Sequence, residues 1–135
     1  AMREQLSDFA AGYATEAETA DMIRKTYEKA GYVMDTHTAV AAHVCEQYKK
    51  DTGDTTKCLV ASTASPYKFV KSVLTAIDEK KYSQKEELEL LPDLEQISGV
   101  EMPGAIREIL DAQVRHSREC DADRMQETVE EILGL

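Results

Sequence analysis

"CLVASTASPYKF", residues 58–69, joins a short apolar run to a helix start through the small and hydroxylated residues Ser62 to Ser65. Lys57 to Ala61 reads as a buried strand: its apolar run is short and continuous, and the polar turn Asp51-Thr-Gly-Asp-Thr-Thr precedes it. Ser65 with Pro66 behind it is an N-cap with proline at the first helical position. Phe69, Val70, Val73, Leu74 and Ile77 continue that helix as an apolar face. Capping accounts for Ser65 but gives no duty to Ser62 or Thr63, which stand at the carboxyl end of the strand, where open α/β sheets collect ligands. A hydroxyl there can donate to or accept from a ring nitrogen or a phosphate oxygen. A plain turn hydroxyl is the other reading of Thr63.

Outward from this stretch the chain is helical. Thr15 and Glu18 form a T-x-x-E capping box, and Ala20, Ile23, Tyr27 and Ala30 recur at helical spacing until Gly31. A short extended stretch, Tyr32 to Met34, leads to Asp35-Thr36, both suited to capping a helix that carries Val40, Ala41, Val44 and Tyr48 and ends near Gly53. Further on, Ser83 and Glu86 read as a second capping box. Pro103 begins a helix with Ile106, Ile109 and Leu110, and Asp121 or Asp123 caps a last one with Met125, Val129, Ile132 and Leu133. A single strand exposes unpaired amides and carbonyls along its edges. The fold class expected is therefore a helix-rich α/β piece with few strands, most of whose partner strands lie outside these residues. Ala1 and Met2 read as the remnant of a cleaved tag, in keeping with a piece of a longer chain.

Composition narrows the function classes. The 135 residues suit one domain with one core, and Trp is absent, so packing rests on aliphatic residues, Met and Ala. Residues 1–77 carry 9 basic and 10 acidic side chains, whereas residues 78–135 carry 7 basic and 16 acidic ones. A net charge of −10 argues against nucleic acid and against anionic membrane as partners, because both select clustered Lys and Arg. No apolar run approaches the roughly 20 residues that span a bilayer. Cys45, Cys58 and Cys120 are odd in number and widely spaced, which fits a reducing cytoplasm rather than a disulfide framework. The cysteines and His37, His43 and His116 do not fall at metal-ligand spacing, and no metal site is expected.

"DTHTAVA", residues 35–41, places His37 and Thr38 in the first turn of the helix that Asp35 and Thr36 cap. Free amides there can hold an anion, although capping alone explains these polar residues. No carboxylate pair, Ser-His-Asp order, Gly-rich phosphate loop or activated cysteine is visible. Pattern alone describes a helix-rich globular piece.

Taken together, "GYVMDTHTAVA" at 31–41 and "LVASTASPYKF" at 59–69 resemble two segments of threonine synthase, a pyridoxal-phosphate enzyme of the fold type II, tryptophan synthase β-like, family. Their order and separation, with a helix between, are similar too. The Pro103 helix, "VRHSRECD" at 114–121 and the terminal helix resemble the end of the longer members, so the likeness runs from about Gln5 to Leu135. Two residues depart from the pattern: Thr36 stands where the family has Pro, and Ser65 where it has His.

The resemblance implies conversion of O-phospho-L-homoserine and water to L-threonine and phosphate, with pyridoxal 5'-phosphate as cofactor, in the cytoplasm. It makes residues 3–80 the C-terminal part of the cofactor domain, and residues 81–135 an acidic helical segment packed on the same unit. Thr63 carries over as the cofactor contact, its hydroxyl facing the pyridine nitrogen, with Ser62, Asp35, His37 and Thr38 as site-adjacent residues. The family's Schiff-base lysine and phosphate loop lie N-terminal to the matched region, so this piece holds no catalytic residue. Alone it is expected to be inactive, to bind no pyridoxal phosphate and to self-associate through its open strand edge. Its natural partner on this reading is the N-terminal part of the same chain. The competing class is a stand-alone acidic helical module that docks a basic partner.

Overall fold

A computed structural model describes residues 5–135. The tag remnant expected at residues 1–2 lies outside the described residues. The chain forms two compact units, the first ending at Pro103 and the second running from Gly104 to Leu135.

In the first unit, α1 spans Glu16–Ala30 and begins as its sequence requires. Thr15 Oγ1 accepts from the Glu18 amide at 3.3 Å, while the Thr15 amide donates to Glu18 Oε2 at 2.8 Å. Gly31 ends the helix with φ +65°, a left-handed conformation that side chains resist, and its amide closes on the Tyr27 carbonyl. The helix α2, Thr36–Thr52, repeats the pattern with Asp35 as N-cap and Gly53 at φ +72°. Pro66–Phe69 is a 3₁₀ turn capped by Ser65, whose Oγ accepts from the Tyr67 amide at 3.3 Å. It feeds α3, Val70–Ile77. A short α4, Glu79–Tyr82, a 3₁₀ turn at Leu88–Leu90 and α5, Leu91–Ser98, complete the unit.

The core lies where α1 packs on α2 and α3, and α3 packs on α5. Val73, Leu74, Leu90 and Leu94 are wholly buried, with Ile23 and Val70 almost so. On α1 the inward face is Thr19, Met22 and Ile23; Ala20 and Tyr27 are half-buried and Ala30 is exposed. Val33 and Met34 are buried in the linker between α1 and α2, which forms no strand. The Tyr67 hydroxyl donates to the Val100 carbonyl at 2.6 Å, tying the 3₁₀ turn to the end of the unit.

Two expectations for this unit are corrected. Lys57 to Ala61 is irregular chain, not a buried strand; Leu59 is fully exposed and Val60 is 40% exposed. Among the described residues there is no strand at all, so nothing completes a backbone ladder with this segment. The second correction concerns Ser83, which ends α4 rather than capping a helix. Asp78, five residues upstream, takes the capping position, accepting from the Lys81 amide at 3.1 Å. Glu89 reaches back to the Glu86 amide at 3.1 Å, so Glu86 acts as a donor through its backbone instead of completing a box.

The second unit holds α6, Gly104–Leu110, a 3₁₀ turn at Ala122–Arg124, and α7, Met125–Leu133. The cap expected from Asp121 or Asp123 is also corrected: Asp121 precedes that turn without a side-chain cap bond, Asp123 lies inside it, and Arg124 stands at the start of α7. Met125, Val129, Ile132 and Leu133 form an exposed apolar face on α7. Arg124 pairs with Glu127 at 3.1 Å, and Arg118 lies 3.6 Å from Glu131.

Replacing Thr15 with Ala removes the acceptor that opens α1. The expected cost is about 1 kcal/mol of unfolding free energy. It is read as a lower urea midpoint with an unchanged slope.

Candidate functional site

The two motifs meet at the first turn of α2. Asp35 is only 1% exposed, and the bonds it accepts keep it folded inward. Its Oδ1 receives the His37 amide at 2.8 Å and the Thr38 amide at 3.2 Å, the bonds an N-cap makes. Its Oδ2 receives the Thr38 hydroxyl. Burial, the largest single influence, pushes the Asp35 carboxyl up. The Thr38 hydroxyl, the Thr38 and His37 amides and the adjacent His37 ring outweigh burial and leave the pKa below its ordinary value.

Ser62 completes the cluster from across 24 residues of sequence. Its Oγ lies 3.0 Å from Thr38 Oγ1 and 3.4 Å from Asp35 Oδ2. A hydroxyl has one proton, and that of Thr38 is given to the carboxylate. Ser62 must therefore be the donor in its own contacts, with Thr38 Oγ1 or Asp35 Oδ2 accepting. Ser62, which has no capping role in the sequence, thus acquires a tertiary one.

A second link runs beside the first. The His37 ring is tilted 38° against Phe69 with centroids 5.4 Å apart, and the Lys68 ammonium sits 5.4 Å from the Phe69 centroid. Sequence reasoning put Phe69 in the helix face and missed this contact. The aromatic residue four positions after Ser65 was the only available signal. His37 and Phe69 also border a shallow cavity of about 330 Å³ with Thr36, Val40 and Ser72; neither Ser62 nor Thr63 lines it.

Thr63 lies between these anchors. It is exposed, and among the described residues no hydrogen bond holds its side chain. Asp35, His37, Thr38 and Ser62 are thus brought together at one end of α2, with the exposed Thr63 next to Ser62 in the chain. Further back, the Cys58 thiol is the strongest influence pushing the Cys45 pKa up.

Among the described residues no group of three or more His, Cys, Asp or Glu side chains could hold a metal ion. Among the same residues no helix is long and apolar enough to cross a membrane.

The cluster is a pinned turn presenting one hydroxyl beside a buried, capped carboxylate, on a helix-rich scaffold. The chain matches, over residues 38–129, the family described as "Threonine synthase, C-terminal". The chain belongs to that family. It is 41% identical over 73 residues to threonine synthase of Schizosaccharomyces pombe, covering 52% of this chain and 14% of that protein. Threonine synthase of Corynebacterium glutamicum is 32% identical over 71 residues, 53% of this chain and 14% of that protein. "Threonine synthase-like 1" of Homo sapiens is 32% identical over 77 residues, 57% of this chain and 10% of that protein. The matched region spans only about a tenth to a seventh of these relatives.

Proposed function

We propose that the chain is the C-terminal part of a threonine synthase, a cytoplasmic fold type II enzyme that uses pyridoxal 5'-phosphate. Its reaction is conversion of O-phospho-L-homoserine and water to L-threonine and phosphate. Membership of the family supports this, and one observation carries the site: Thr63 is exposed and unbonded between two anchored residues. When bound, the cofactor supplies an electron sink for carbanion chemistry. A hydroxyl with its donor and acceptor both free fits a pyridine nitrogen. Being neutral, it orients the ring without fixing a proton on that nitrogen as a carboxylate would.

One hydroxyl does not hold a cofactor, and the resemblance assigns the tethering lysine to none of this chain's lysines. Lys68 is engaged over the Phe69 ring. The exposed stretch around Leu59 and Val60 is free to join a sheet supplied by the remainder of a longer chain.

The test has two arms. Mixed with pyridoxal phosphate, the 135-residue chain should give no stoichiometric absorption band from a lysine adduct. The longer protein that contains it should give that band and release phosphate from O-phospho-L-homoserine. A stoichiometric band from the chain alone, or a loaded longer protein that leaves phosphohomoserine intact, would overturn the reading.

A further inference from the structure

We infer that Ser62 is a positioning residue: it clamps the turn that carries Thr63 to the buried Asp35–Thr38 cap of α2, and so fixes where the Thr63 hydroxyl points. The inference rests on the cofactor reading for its purpose, but its structural content stands on contacts within this chain.

The turn is anchored on both sides of Thr63. Before it, Ser62 Oγ is 3.0 Å from Thr38 Oγ1 and 3.4 Å from Asp35 Oδ2. After it, Ser65 Oγ accepts the Tyr67 amide at 3.3 Å, the Ser65 carbonyl accepts the Lys68 amide at 3.0 Å, and Tyr67 is held through its hydroxyl to the Val100 carbonyl. The two sides are not equivalent. The later anchors belong to the 3₁₀ turn and would survive if residues 58–63 swung away. Among the described residues, Ser62 alone joins the segment immediately before Thr63 to the start of α2 through a side-chain hydrogen bond.

Proton accounting makes the clamp directional. Asp35 Oδ1 is taken by two amides and Oδ2 by the Thr38 hydroxyl, so the carboxylate fixes the Thr38 proton. Thr38 Oγ1 is left with lone pairs only, and it can hold Ser62 only by accepting. Alanine at 62 removes the donor, and threonine keeps it. The flanking residues offer no substitute: Ala61 and Ala64 carry no polar side-chain atom, and Leu59 and Val60 are exposed and apolar. Thr63 would then keep its hydroxyl while losing its fixed direction.

The first measurement is ¹⁵N relaxation on the 135-residue chain. The Thr63 amide should have an order parameter near that of the helices, about 0.85, and Ser62→Ala should lower it below about 0.6. Ser62→Thr should restore the rigid value, while amides of Ile23 and Leu74 stay unchanged in every variant and report that the fold is intact. A Thr63 amide equally rigid in Ser62→Ala, or already flexible in the parent, would overturn the clamp.

The second measurement uses the longer protein loaded with pyridoxal phosphate. Ser62→Ala should shift the cofactor absorption band and lower kcat about tenfold or more at unchanged KM, with Ser62→Thr near the parent. A loaded protein whose band and kcat ignore Ser62→Ala overturns the positioning role alone. A longer protein that takes up no cofactor overturns the cofactor reading and the positioning role with it, whatever the relaxation data show.

Discussion

Asp35→Ala should be among the most damaging single substitutions in the first unit, lowering its stability by about 2–4 kcal/mol. Losing an N-cap costs about 1 kcal/mol, and leaving buried donors without a partner adds about 1–3 kcal/mol. Both apply here because one carboxylate serves the His37 amide, the Thr38 amide and the Thr38 hydroxyl at 1% exposure. Against a total of about 5–15 kcal/mol such a loss is severe. Asp35→Asn should cost less, because the side-chain carbonyl can still cap the helix and the Thr38 hydroxyl can rotate to accept from the amide. Chemical denaturation of the three proteins at neutral pH orders them; equal midpoints for parent and Asp35→Ala would show that the cap does not stabilise the fold.

The same carboxylate sets an acid limb. Its folded pKa lies below its ordinary value, since the donors around it outweigh the opposing effect of burial. A group shifted in this direction contributes stability that is complete above the unfolded pKa of about 4 and is lost as pH falls through the folded pKa. The parent should therefore lose stability more steeply than Asp35→Asn below about pH 4. Parallel melting curves for the two across that range would assign the acid sensitivity to other carboxylates.

What the residues announced in advance follows the range of the interactions. Thr15 with Glu18, Asp35 with Thr38, and Ser65 with Pro66 act within three residues, and each forms the cap its spacing dictates. Gly31 and Gly53 mark helix ends for the same reason, since the conformation needed is a property of one residue. Ser83 misled because its reading ignored Asp78, which accepts from the Lys81 amide and starts a helix that has already reached its C-cap at Ser83. Lys57 to Ala61 misled more deeply: a short, continuous apolar run after a polar turn describes a segment suited to a sheet, but a strand exists only where another backbone receives its bonds. The site is intermediate. Asp35, His37, Thr38, Ser62 and Thr63 could be singled out as polar residues near helix starts, yet the bond between Ser62 and Thr38 and the tilted contact of His37 with Phe69 depend on how α2 and the 3₁₀ turn are juxtaposed. Local chemistry supplies the donors and acceptors, and tertiary packing selects which of them meet.

Leu74→Ala and Leu59→Ala should separate core from surface in one experiment. Leu74 is wholly buried on α3, the helix that packs against both α1 and α5, with Ile23, Val70, Leu90 and Leu94 also fully enclosed in the core. Truncation there removes apolar contacts and leaves a cavity that close packing prevents the surroundings from filling, at a cost of about 2–5 kcal/mol. That is enough to lower the melting midpoint by roughly 10 °C or more. Leu59 has the same side chain and sits in the run that reads as a strand, yet it is fully exposed in this chain. Its truncation should change stability by less than about 0.5 kcal/mol. A Leu59→Ala loss approaching that of Leu74→Ala would mean that residues 57–61 are buried by association between copies, and the penalty would then rise with protein concentration. In the longer protein proposed above, where a sheet would receive this segment, the two substitutions should converge. The difference between the Leu59→Ala penalties in the two contexts therefore measures how much of that leucine's burial is supplied by the rest of that longer protein.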